Sequence, residues 1–161
     1  MLLVDFTDAV AIAAWRPVND AVMGGVSTST FAATPGGAAF AGHVSLEHGG
    51  GFASVRAGPR AWPTAGARAL ALVARGDGRR YRLTLRTDDR FDGIQYQAEF
   101  APAADWQTLV LPLAGFVPVF RGRPQPSAVP LEAARIRTLG LLIAARQAGP
   151  FRLEVARLEA R

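Results

Sequence analysis

The chain has 161 residues, of which half are apolar and 19% are charged, and its formal net charge is +5. This composition is typical of one globular domain, and no stretch approaches the roughly 20 apolar residues of a membrane-spanning helix. The absence of cysteine excludes disulfides, zinc ribbons and thiol catalysis. We therefore expect a single domain over residues 1–161. The opening MLLVDFTDAV has no secretory pattern, so we expect a soluble, cytoplasmic protein.

The positive charge comes entirely from arginine, because the chain has 18 basic residues and no lysine. The arginines are spread along the chain and mostly alternate with apolar residues, with Arg79 and Arg80 as the densest pair. Surfaces that bind nucleic acid cluster their basic residues and interleave them with aromatic rings. The pattern instead predicts solvated strand faces, and nucleic acid is not the expected partner.

Ten short segments have the period-two or continuous apolar pattern of β-strands. In chain order they are 2–6, 27–34, 38–46, 51–56, 67–75, 79–86, 94–100, 106–112, 138–145 and 151–158. Short helical turns are predicted near 9–14 and 131–135, and an ordered surface loop with three prolines over 120–130. About ten strands with little helix predict an all-β jelly-roll sandwich.

The clearest alternation lies in the segment 79–86. Tyr81, Leu83 and Leu85 should point to one face of a strand, while the polar residues between them point to the other. That second group consists of Arg80, Arg82, Thr84 and Arg86. The pattern predicts a half-buried antiparallel strand with a solvated outer face.

No catalytic motif is complete. A phosphate-binding loop needs a lysine, and Gly76-Asp77-Gly78 leads into a strand and so predicts a turn. Serine catalysis would need His43 or His48 as a base, but the GxSxG turn is absent, so both are interpreted as structural or surface residues. A pair of carboxylates that hydrolyses glycosides remains an alternative, because such a pair is recognised by the distance between its members in the folded protein. The candidates are Asp20, Glu47, Asp77 and Glu99.

No metal or cofactor site is predicted either. His43, His48 and Glu47 lack the HExxH spacing of a zinc site. The acidic segment 87–93 (TDDRFDG) lacks the spacing of an EF-hand loop, so it is interpreted as a solvated turn, with incidental calcium as the alternative.

The segment 18–29 (VNDAVMGGVSTS) contains a Gly-Gly pair directly before a predicted strand. Gly24 and Gly25 permit a positive φ or a close approach of the backbone. Asn19 and Asp20 are residue types that hydrogen-bond to the backbone amides of such loops. Met23 is interpreted as a side chain that fills the core.

Two motifs carry a resemblance to a known family. The segments NDAVMGGVS (19–27) and SLEHGGGFASVR (45–56) occur in order, with Trp15 before the first. Together with matches around Asp77, Tyr96 and Arg121, they resemble the complex I intermediate-associated protein 30 family. The matching residues interpreted as structural are Trp15, Met23, Gly24, Gly25, Ser27, Glu47, Gly49, Gly50, Gly51 and Phe52.

The resemblance implies a galactose-binding-domain-like β-sandwich, related in shape to carbohydrate-binding modules, with no known catalytic step. Mitochondrial members of the family help to assemble NADH:ubiquinone oxidoreductase, and from the opening residues we expect no transit peptide of their kind. The implied function is a non-catalytic binding module with a protein partner, such as membrane-complex subunits. The alternative is a carbohydrate-binding module.

Several polar residues beside glycines or aromatic residues are candidates for contact with a ligand or partner. Arginine forks, amides, carboxylates and aromatic rings are typical of clefts for sugars or polar peptides. For Arg56 and Asp77 a buried structural ion pair is the alternative. The candidates are Asn19, Asp20, Arg56, Asp77, Tyr96, Gln97 and Arg121.

Overall fold

The computed structural model describes the backbone of residues 1–161 and the side chains of all of them except Val22 and Met23. The interpretation of Met23 as a core residue therefore lies outside the described residues. Among the described residues, no helix has the length and hydropathy needed to cross a membrane.

Thirteen strands are present in the described backbone. In chain order they are β1 (Leu2–Asp5), β2 (Arg16–Pro17), β3 (Thr28–Thr34), β4 (Gly37–Val44), β5 (Ala53–Ala57), β6 (Ala69–Arg75), β7 (Tyr81–Arg86), β8 (Gln95–Phe100), β9 (Gln107–Pro112), β10 (Val117–Phe120), β11 (Arg123–Pro124), β12 (Thr138–Ile143) and β13 (Gly149–Ala160). The α-helix α1 covers Ala9–Ala13, and 3-10 turns cover Asp20–Met23, Glu47–Gly49, Leu113–Gly115 and Ala133–Arg135.

The strands form two antiparallel sheets. Sheet 1 has the order β3-β4-β13-β6-β9, and β1 also pairs with β13. Sheet 2 has the order β11-β10-β8-β7-β12-β5-β2. Strands that are distant in sequence therefore become neighbours, and β12 lies between β5 and β7.

The two sheets share one apolar core. Phe40, Leu72 and Leu153 of sheet 1 and Leu83 and Leu141 of sheet 2 are all buried in it. Each fully buried side chain of this size contributes about 1.5–3 kcal/mol relative to an exposed one. Every central strand contributes buried apolar side chains to this core, which explains why the sequence folds as a sandwich.

The predicted all-β sandwich is confirmed, and each predicted strand is present with ends within two residues of the prediction. The sequence did not predict β2, β10 and β11. Two of these strands have only two residues, and β10 contains a proline, which weakens a strand pattern. Since β11 pairs with β10, the segment predicted as a loop over 120–130 is partly strand.

One prediction about β7 is wrong. Tyr81, Leu83 and Leu85 face the core as expected, but the opposite face is not solvated along its length. Thr84 is only 4% exposed and Arg86 only 7%. Around Thr84 and Arg86 the outer face of sheet 2 is therefore covered by neighbouring side chains and by a loop, and this feature positions the candidate site.

Candidate functional site

The Gly-Gly motif encloses a buried carboxylate. Asp20 is fully buried and accepts hydrogen bonds from the Ser27 backbone N–H (2.9 Å) and the Ser27 hydroxyl (2.5 Å). It also accepts from the backbone N–H groups of Gly51 (2.8 Å) and Phe52 (3.4 Å). Asp20 thus connects the two family motifs, which are distant in sequence.

The glycines of both motifs are required because Asp20 lies so close. A Cβ at Gly25 would lie 2.5 Å from Asp20 Oδ1, and one at Gly50 would lie 2.5 Å from Asp20 Oδ2. Gly24 has a φ of +86°, a conformation that glycine adopts without strain, and it ends the 3-10 turn that starts at Asp20. Any side chain at Gly25 or Gly50 would displace the carboxylate.

The environment of Asp20 stabilises its charged form. Burial raises the pKa of the carboxyl, but the hydrogen bonds from Ser27, Gly51 and Phe52 outweigh burial, and the pKa is lowered overall. Asn19, next in the chain, accepts from the Ser29 hydroxyl (2.8 Å) and the Ser54 backbone N–H (3.1 Å). Asp20 and Asn19 therefore both accept hydrogen bonds from donors within the fold.

Asp77 also has partners within the fold. Its carboxylate accepts from the Tyr81 hydroxyl (3.0 Å) and from the backbone N–H groups of Arg79 (3.1 Å) and Arg152 (2.8 Å). Arg56 instead donates to the Phe91 carbonyl. The sequence-based alternative of an ion pair between Arg56 and Asp77 is therefore wrong.

Tyr96 and Arg121 have different environments. The Tyr96 ring is buried in the core, and its hydroxyl donates to the Val129 carbonyl. Arg121 is exposed and forms an ion pair with Asp92 (2.7 Å). Asp77, Tyr96 and Arg121 therefore do not converge with Arg56 in one cleft.

On the outward side of β5, β7, β8 and β12 most side chains are polar, and we call this polar set the polar face. Leu142 of β12, between Ser54 and Arg82, is the apolar exception. Strand alternation and register bring the polar side chains together, because Arg56 lies opposite Gly140, and Gly140 lies opposite Thr84. Among the described side chains of these strands, no aromatic ring points outward on this side. The polar face consists of Ser54, Arg56, Arg82, Thr84, Arg86, Gln95, Gln97, Glu99 and Thr138.

The middle of the polar face is a hydrogen-bonded row. Arg82 donates to Gln97 Oε1 (3.0 Å), and Gln97 Nε2 donates to Gln95 Oε1 (2.6 Å). Glu99 is exposed and lies 3.7 Å from Arg80. Fixed guanidinium and amide groups on a sheet offer several donors to a partner without large rearrangement.

The loop 87–93 covers one end of the polar face. Arg56 donates to the Phe91 carbonyl (3.1 Å), and its guanidinium lies 4.9 Å from the centre of the Phe91 ring. Arg86 donates to the Gly93 carbonyl (2.8 Å). Two exposed ion pairs also hold the loop. Asp89 pairs with Arg137, and Asp92 pairs with Arg121.

This arrangement places two guanidinium groups beside each other in a partly desolvated site. Burial, followed by the positive charge of Arg86, lowers the pKa of Arg56 to about 10, against the opposing effect of Asp92. Burial also lowers the pKa of Arg86, although Asp92 and Asp88 oppose it. Both groups stay charged at neutral pH, so the site is electropositive. Both residues line a cavity of about 120 Å³.

The structure offers little to a catalytic interpretation. His43 and His48 are both exposed, and in the described part of the chain neither ring lies within 4.0 Å of a carboxylate. No three His, Asp or Glu residues among those described converge as a metal site would need. The acidic residues of the loop 87–93 are instead directed at arginines and at the backbone.

Only some of the seven candidate residues from the sequence therefore lie at or near the polar face. Arg56 and Gln97 lie on the polar face, and Arg121 reaches the loop that covers it. Sequence reasoning missed Arg82 and Arg86, although the alternation of β7 had already placed both on one face. The sequence did not show that the loop 87–93 covers one end of this face.

Comparisons with known structures and proteins agree with this fold. The family 11 carbohydrate-binding module of the cellulosomal cellulase Lic26A-Cel5E of Clostridium thermocellum superimposes with a TM-score of 0.69 at 13% identity, over 99% of this chain and 94% of that chain. The same type of module has been solved in complex with a β-1,3-1,4-mixed-linked tetrasaccharide, with a TM-score of 0.64 at 13% identity, over 98% of this chain and 94% of that chain. An agarase matches with a TM-score of 0.59 at 16% identity, over 100% of this chain and 24% of that chain.

At these low sequence identities, the structural comparisons establish the fold but not the function. A comparison with curated protein sequences gave no match. The sequence model described as "Complex I intermediate-associated protein 30" matches residues 4–155, which is most of the chain and includes both glycine motifs. The chain therefore belongs to the complex I intermediate-associated protein 30 family, as its two glycine motifs indicated.

Proposed function

We propose that this protein is a non-catalytic binding module that uses the polar face to bind a protein partner, in an assembly role for respiratory complex I. The observation that carries the proposal is the polar face itself, in which arginine and amide donors are fixed on a rigid sheet. The family supports the assembly role, because its name refers to an intermediate of complex I.

The chemistry of the polar face favours an acidic protein surface over a neutral glycan. Glycan-binding faces use aromatic rings that stack on sugar C–H groups. The only exposed ring beside the described part of the polar face is Phe91, in the loop at its rim. Arginine forks match carboxylates in shape and charge.

The test is affinity capture from the native cells, with quantification of complex I subunits. Arg82→Gln changes the middle of the polar face, and Arg157→Gln, on the outward side of sheet 1, is the matched control. We expect the wild type and Arg157→Gln to retain complex I subunits and Arg82→Gln to retain fewer.

Two results would count against the proposal. One is recovery of complex I subunits no higher than with the tag alone, together with a normal amount of complex I in cells that lack the protein. The other is saturable binding of the mixed-linked β-glucan tetrasaccharide that Arg82→Gln abolishes, which would favour the carbohydrate alternative.

A further inference from the structure

The cavity at the covered end of the polar face has an unusual lining. Arg56, Arg86 and Arg90 contribute positive charge, Asp89 contributes negative charge, and Thr138 and Phe91 complete much of the wall. Its volume of about 120 Å³ is well above the roughly 15 Å³ that a single water molecule needs. The cavity can therefore hold a small polar group.

Arg86 gives the specific reason to expect a ligand. Its side chain is more than nine-tenths buried, and one guanidinium nitrogen, Nη1, donates to the Gly93 carbonyl at 2.8 Å. Its Nε is also buried but has no hydrogen-bond partner among the described residues. A buried donor on a charged group is costly to leave unpaired, so the Arg86 guanidinium has fewer hydrogen bonds than its charge and burial require.

The charges around the cavity leave the two guanidinium groups without a carboxylate of their own. Asp89, the acid in the lining, pairs with Arg137 (2.8 Å), and Asp92 pairs with Arg121 (2.7 Å). Asp88 accepts from the Arg90 backbone N–H (3.0 Å). Arg56 and Arg86 donate only to the loop carbonyls of Phe91 and Gly93 in the described structure.

The sheet beneath the cavity leaves room for Arg56 and Thr84 to pack over β12. Gly140 of β12 lies between Arg56 on β5 and Thr84 on β7. A Cβ at Gly140 would collide with the Thr84 hydroxyl and lie 3.4 Å from the Cβ of Arg56. Glycine at this position therefore allows the side chains on both neighbouring strands to pack over β12.

We propose that the cavity lined by Arg56 and Arg86 binds the carboxylate of an acidic side chain from the partner protein. This inference rests on the proposed function and names the chemistry by which the polar face recognises its partner. A carboxylate has two oxygens in a plane that match a guanidinium fork, and the two can lie against the guanidinium groups of Arg86 and Arg56 that line the cavity.

A monoanion suits the site better than a dianion. Asp88, Asp89 and Asp92 all belong to the covering loop, so a phosphate dianion would meet more repulsion than a single carboxylate. A neutral amide of the same shape would lack the charge that the two guanidinium groups require. The site should therefore prefer acetate to both phosphate and acetamide.

The experiment follows the Arg86 Nε–H signal by NMR during titration with acetate, with phosphate and acetamide as parallel probes. We expect a saturable shift of this signal with acetate, a weaker response to phosphate, and none to acetamide. Arg56→Gln should weaken acetate binding about tenfold. Arg157→Gln, on the other sheet, should leave it unchanged.

The chain with Arg86→Lys keeps the charge but loses the fork, and it should also bind acetate more weakly. If that variant does not fold, Arg56→Gln still decides the matter, because Arg56 is only partly buried. An unchanged Arg86 signal at saturating acetate would overturn the proposal. So would tighter binding of phosphate, or equal weakening by Arg56→Gln and Arg157→Gln.

Two combined results separate this site from the proposed function. If acetate binds as expected but no complex I subunit is captured, the carboxylate site stands and the assembly role fails. If subunits are captured equally by the wild type and Arg56→Gln, the assembly role stands and the carboxylate site fails as its recognition element.

Discussion

Replacement of Asp20 by asparagine should destabilise the fold strongly, because this carboxylate joins the two glycine motifs. In the native chain it accepts from two donors of Ser27 and from the backbone N–H groups of Gly51 and Phe52. Asparagine keeps one acceptor oxygen and turns its NH₂ group toward donors. At least the bond from the Ser27 backbone N–H is therefore lost, and the remaining hydrogen bonds lose the charge of their acceptor.

The size of the effect follows from the number and length of these bonds. A hydrogen bond to a charged group contributes about 1.5–3 kcal/mol, and the longest one, from Phe52 at 3.4 Å, should contribute least. Disruption of a buried charged network typically costs about 3–5 kcal/mol, which we expect here. This is a large part of a total stability of about 5–15 kcal/mol.

Urea denaturation measures this loss directly. With a slope of about 2 kcal/mol per molar urea, the midpoint should fall by about 2 M. Arg137→Gln is the control, because it breaks only the exposed ion pair with Asp89 and should cost at most about 1 kcal/mol. A loss of less than about 1 kcal/mol in Asp20→Asn would refute the structural role of the carboxylate.

The same variant should change the dependence of stability on pH. The pKa of Asp20 is lower in the folded protein than its ordinary value of 3.8. The folded state therefore favours the charged form, and the stabilisation is complete above pH 3.8 and is lost as the pH falls through the folded pKa. The difference in stability between the wild type and Asp20→Asn should shrink below pH 3.8, and a difference that grows there would contradict this.

Two further substitutions test the structure around the site. Gly140→Ala should destabilise the protein by about 1–3 kcal/mol, because its Cβ would collide with the Thr84 hydroxyl, and thermal unfolding with no change in midpoint would contradict this packing. Asp77→Asn should cost about 1–3 kcal/mol, because the charged acceptor of the Tyr81 hydroxyl and the Arg152 N–H is lost. Urea unfolding checks the second value, and wild-type stability would show that these hydrogen bonds contribute nothing.

Strand positions could be predicted from the sequence because burial on one side of a strand leaves a period-two pattern. The segment 79–86 shows this well, since Tyr81, Leu83 and Leu85 all face the core. Strands of two residues, such as β2 and β11, are too short to leave any pattern. These short strands form because the rest of the fold places a partner strand beside each of them.

The candidate site was predictable only in part. The alternation of β7 predicts the direction of Arg86, but its burial depends on the loop 87–93 and on β12, a strand that follows more than fifty residues later in the chain. Likewise, the sequence shows the two glycine motifs, but no periodicity indicates that both pack around Asp20. Contacts of this kind are long-range and leave no local signal.

The most direct test of the central claim is photo-cross-linking in cells at two exposed positions. A photoreactive residue at Glu99 lies on the polar face, and one at Val110 lies on the outward side of sheet 1. The polar face as docking surface predicts cross-links to a complex I subunit from position 99 and none from position 110. Cross-links from position 110 alone, or from neither position, would contradict it.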